Sequence, residues 1–61
     1  MTNICVYASA EHSPELVHAR LDAITERVPC WATYHRDTRE IRITCRTEDA
    51  AFCERMVADL V

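Results

Sequence analysis

Apolar and polar positions alternate or recur along this chain in a few short runs. Asn3 to Ala8 reads Asn-Ile-Cys-Val-Tyr-Ala, a β-branched and aromatic run that predicts a strand. Ser9 to His12 reads as a loop. Ser13-Pro14-Glu15 then supplies a capping hydroxyl, a proline at the first helical position and an acid favoured by the helix dipole. Val17, Leu21, Ile24 and Val28 follow at spacings that line one face of a helix, and Pro29 stops it.

Two alternating segments, 31–36 and 40–46, flank Arg36-Asp37-Thr38-Arg39 and predict a hairpin. With Asp37-Thr38 at the tip, Tyr34 pairs with Ile41, Ala32 with Ile43 and Cys30 with Cys45. All six fall on one face. The opposite face takes Trp31, Thr33 and His35 against Thr44, Arg42 and Glu40. A slip of one residue would mix the two faces, so the split specifies the register. Asp-Thr is a poor two-residue turn, which favours a longer loop. Thr47-Glu48-Asp49 reads as the start of a second helix, with a capping hydroxyl and two acids. Its apolar stripe is Phe52, Cys53, Met56, Val57 and Leu60.

The order βαββα predicts an α+β two-layer sandwich of one domain, residues 1–61. Its three-stranded sheet would carry both helices on one face. It resembles a ferredoxin-like domain lacking the last strand, with the third strand central. The chain is also similar to ACT regulatory domains. The resemblance lies in the strand Ile4 to Ala8, the helix start Ser13-Pro14-Glu15-Leu16, and the strand-to-helix run from Ile41 to Ala50. It implies a dimer formed through the sheets and a small-metabolite site, often for an amino acid, near the first loop and helix. The chain departs from that family at Glu15, where glycine usually follows the proline, and in lacking a final strand.

Size and composition narrow the function. A domain of 61 residues buries only about 60% of its unfolded surface, so it tends to need a staple or a partner. It contains no glycine, which removes phosphate loops and dinucleotide fingerprints. Met1-Thr2-Asn3 lacks the basic start of a signal peptide. No run reaches the roughly 20 apolar residues of a membrane span. A cytoplasmic protein with reduced thiols is therefore expected. Cys5, Cys30, Cys45 and Cys53 show no C-x-x-C spacing, and His12, His18 and His35 share no ligand spacing with them. A core thiol cluster is expected, with no metal and no cofactor. Cys5, on the outer face, has no basic neighbour in this reading, and Ser9 and Ser13 are explained by loop and cap. No catalytic set emerges, and a non-enzymatic protein is expected.

The outer sheet face should hold Tyr7, Trp31, Thr33, Arg42, Thr44 and Arg46, a mixture typical of binding hot spots. The expected function is a protein-binding module acting stoichiometrically as regulator or inhibitor of a larger complex. Phage and mobile-element accessory proteins that block host defence share this size and simplicity. Sheet-face aromatics beside arginines also suit single-stranded nucleic acid. The net charge of −3 and the acidic helices weigh against that alternative. A homodimer is expected on the edge strand Ile4, Cys5, Val6 and Tyr7, which carries none of the lysine, proline or charge that blunts free edges.

Overall fold

The computed structural model describes all 61 residues in the order βαββα. Strand β1 spans Thr2–Tyr7, helix α1 Pro14–Arg27, strand β2 Cys30–His35, strand β3 Glu40–Cys45 and helix α2 Ala50–Val57. Short 3-10 turns, Thr47–Asp49 and Ala58–Leu60, flank α2.

Ser13 starts α1 as its sequence suggests: its Oγ accepts from the Leu16 amide at 3.2 Å, and Pro14 follows at the first helical position. Val28 is extended because the ring of Pro29 disfavours helical backbone in the residue before it. The sheet order is β1-β3-β2, entirely antiparallel, with β3 central. The hairpin pairs Cys30 with Cys45, Ala32 with Ile43 and Tyr34 with Ile41, the register expected from the alternation. Its loop is Arg36 to Arg39, four residues long. With no glycine available, Arg39 takes the left-handed backbone that closes the loop, at φ 63°.

Both helices pack on one face, where Ile4, Ile41 and Ile43 of the sheet meet Val17, Leu21 and Ile24 of α1. Val57 and Leu60 complete the core from the second helical segment. No buried side-chain polar atom lacks a partner. Helix α1 lies over β2, whereas α2 straddles β1 and β3.

The start of the second helix differs from expectation. The chain enters through the 3-10 turn, so the cap position falls on Arg46, one residue before the hydroxyl. Thr47 therefore sits inside the turn and caps nothing; its Oγ1 instead accepts from Thr2 Oγ1 at 3.0 Å. The apolar stripe also outruns the α-helix, and Leu60 reaches the core from the second 3-10 turn.

Candidate functional site

The face of the sheet away from the helices is a three-by-three grid fixed by strand register. Its rows are Asn3, Thr44 and Trp31; Cys5, Arg42 and Thr33; Tyr7, Glu40 and His35. Arg42 is at the centre, with Trp31 and Tyr7 at opposite corners. Trp31 is 71% exposed and Tyr7 58% exposed. These are the largest aromatic surfaces the fold leaves in water, and no helix covers them.

Hydrogen bonds organise the grid. Thr44 Oγ1 donates to Asn3 Oδ1 at 2.8 Å. The Cys5 thiol donates to Glu40 Oε2 at 3.4 Å, and Arg42 Nε pairs with Glu40 Oε1 at 3.1 Å. Glu40 thus bridges a thiol and a guanidinium. The hydrogen bond from Cys5, followed by Arg42, holds the Glu40 carboxyl below its ordinary value. The same hydrogen bond and carboxylate charge raise the Cys5 thiol, and Arg42 offsets part of this. The expectation that Cys5 lacks a basic neighbour is corrected: Arg42 is its direct partner across the sheet. That pairing does not activate the thiol, because Glu40 answers the arginine's charge.

Tyr7, Trp31, Thr33, Arg42 and Thr44 therefore share this face. Arg46 does not belong with them in the same sense. It lies one residue beyond β3, where its Nε is 2.8 Å from Asp49 Oδ2 and 3.9 Å from Glu48 Oε1. Its charge is spent on the turn that leads into α2. The hairpin register already placed Glu40 and His35 on this face, but the candidate binding set omitted them, and Asn3 was not assigned to the face at all. Asn3 belongs there by its alternation with Ile4, and the choice of aromatic, arginine and threonine side chains passed over all three.

A depression of about 180 Å³ lies between β1 and β3 on this face, lined by Asn3, Ile4, Cys5, Arg42, Ile43 and Thr44. It is smaller than the roughly 300–1,000 Å³ of ligand pockets, so it suits a single inserted side chain better than a free metabolite. It is the only cavity in the fold. The first loop, where the ACT resemblance places a metabolite, has none: there the Glu11 amide donates to Ser9 Oγ and the His12 amide to the Ser9 carbonyl.

The remaining cysteines lie on the other side of the sheet. Cys45 and Cys53 are fully buried and Cys30 is half-buried opposite Cys45. Burial, then contact with Cys45, pushes the Cys53 thiol up to about 12. Burial also raises Cys30. Thiols in this state are protonated and behave as small hydrophobes. No group of three or more histidine, cysteine or acidic side chains is placed to hold a metal ion. No helix is long and apolar enough to cross a membrane.

Comparison with protein-family models, curated proteins and solved structures finds no match to this chain.

Proposed function

We propose that this chain is a small non-enzymatic protein-binding module. It acts stoichiometrically, docking the open face of its sheet on a larger complex as a regulator or inhibitor. The observation that carries this reading is the exposure of Trp31 and Tyr7 around Arg42 on a hydrogen-bonded sheet. Tryptophan, tyrosine and arginine supply most hot-spot energy, and a sheet already formed presents them without ordering a loop on binding. The depression beside Arg42 would take one side chain of the partner, Thr44 would supply a hydrogen bond at its rim, and Thr33 one on the far side of Arg42.

Trp31 is the sole tryptophan, so its fluorescence reports this face alone. Affinity capture with the wild-type chain should recover a complex of fixed stoichiometry. Trp31→Ala and Arg42→Glu should each lose that complex while melting like wild type. Titration of Trp31 fluorescence with single-stranded oligonucleotides and with amino acids should give no saturable change. A saturating, salt-sensitive response to oligonucleotide would replace this reading with a nucleic-acid binder. A response to an amino acid would replace it with a metabolite sensor.

A further inference from the structure

The backbone of β1 shows which of its groups are free. The Ala8 amide donates to the Arg39 carbonyl at 2.8 Å, continuing the pairing of β1 with β3. In an antiparallel ladder both polar groups of a residue face the same side, alternating along the strand. The even-numbered residues of β1 therefore bond to β3. Asn3, Cys5 and Tyr7 turn both N–H and C=O to the open edge. The free run stops at Tyr7, because the Ser9 amide is already donated to the Leu60 carbonyl at 2.7 Å.

We propose that this edge pairs antiparallel with the β1 edge of a second copy in one register, with Cys5 opposite Cys5 on the two-fold axis. Two copies related by a two-fold normal to the sheet must match outer face with outer face, so the axis passes through a residue and never between two. An axis at Cys5 pairs Asn3 with Tyr7, Cys5 with Cys5 and Tyr7 with Asn3. Each such pair exchanges two hydrogen bonds, about six in all, and every free group of the edge is used. An axis at Val6 would set Asn3 against Ser9, whose amide is taken. An axis at Ile4 would set Tyr7 against Met1, which precedes the strand. On the helical face the chosen register brings Ile4 beside the partner's Val6, an apolar cross-strand pair.

Helix positions select this edge over that of β2. Strands lie about 4.8 Å apart and packed helices need about 8–10 Å. Since α2 straddles β1 and β3, two-fold pairing at β1 sets the two α2 helices about two strand spacings apart, near contact distance. Since α1 lies over β2, the same operation at β2 would bring the two α1 helices to about one strand spacing, where they collide. The dimer is a six-stranded sheet under four helices. It leaves the outer face of both copies open, so it stands or falls independently of the function proposed above.

Opposed residues of a hydrogen-bonded antiparallel pair have Cα atoms about 5.5 Å apart, within disulfide range. Cys5 is the one exposed thiol, which makes the register directly testable. In mildly alkaline buffer, diamide should convert the protein to a covalent dimer. The two thiols give up two protons and two electrons to form the S–S bond, and the diazene takes them up to become a hydrazine. Peptide mapping should find Cys5 joined to Cys5, and Cys5→Ser should abolish the link while remaining a dimer in sedimentation. Hydrogen exchange on the unmodified protein needs no variant. As concentration rises, the Asn3, Cys5 and Tyr7 amides should become protected, while Ile4 and Val6 are protected throughout. Tyr7→Pro removes one edge donor and should shift the sedimenting mass to monomer, whereas Tyr7→Ala should not. A strictly monomeric mass at high micromolar concentration would overturn the proposal. So would a dimer that instead protects Cys30, Ala32 and Tyr34, or one whose diamide link maps to any pair other than Cys5 with Cys5.

Discussion

Arg20 of α1 reaches Asp59 in the C-terminal turn and binds both of its carboxylate oxygens, Nη2 to Oδ2 at 3.0 Å. The same guanidinium donates to the Met56 carbonyl at 2.6 Å, so it fastens the end of α2 to α1. The Arg20 hydrogen bond holds the Asp59 carboxyl below its ordinary value. A carboxyl depressed by folding adds stability above its unfolded value, and that stability is lost as pH falls through the folded one. Acid unfolding should therefore steepen below the usual carboxylate range. In Asp59→Asn the dependence should be shallower. Thermal melts from neutral to acidic pH check this, with loss of Arg20→Gln stability at neutral pH as the companion result.

The centre of the sheet sets the stability of the whole domain. Ile43 is fully buried on β3 between Ile4 and Ala32. Truncating such a residue costs about 2–5 kcal/mol. At about 0.05–0.15 kcal/mol per residue, a chain this short has about 3–9 kcal/mol in total. Ile43→Ala should therefore lose a large share of its stability, with a much lower thermal midpoint by circular dichroism. Thr33→Ala, on the exposed face of the neighbouring strand, should fold normally.

Cys5 should react first among the four cysteines, because the others are buried or half-buried. It should still react more slowly than a free cysteine at neutral pH, since Glu40 raises its thiol. Glu40→Gln removes the opposing charge and leaves Arg42 beside the sulfur, so alkylation should accelerate. Timed iodoacetamide labelling with peptide mapping measures both effects. Equal rates in wild type and variant would mean that Glu40 does not govern the thiol.

Arg39 holds a left-handed backbone that costs a residue with a β-carbon about 1–2 kcal/mol. Asparagine tolerates that region through local hydrogen bonding. Arg39→Asn should therefore stabilise the hairpin by up to about 1 kcal/mol, raising Tm by a few degrees in a domain of this size. A lower Tm would show that the Arg39 side chain contributes more than its backbone conformation costs.

How much of this was legible beforehand follows from the range of each interaction. Alternation along 31–36 and 40–46 specified the hairpin register, because only one pairing keeps Cys30, Ala32 and Tyr34 with Ile41, Ile43 and Cys45. Ser13-Pro14 marked the start of α1, because capping acts within one turn. The Thr47 cap failed where two local solutions compete: the 3-10 turn takes Asp49 back to Arg46 and leaves the hydroxyl to Thr2. A hydroxyl before two acids fits either solution.

By itself, then, the sequence determined which side chains face the helices and which face away, since strand and helix periods are local properties of the chain. It could not determine who stands beside whom across long separations. Arg42 opposite Cys5, Arg20 on Asp59, and the turning of Asn3, Cys5 and Tyr7 toward an open edge all depend on how β1 meets β3 and how α2 returns to α1. Those meetings are made by packing of the whole core, and no periodicity within β1 encodes which of its backbone groups the neighbouring strand will use.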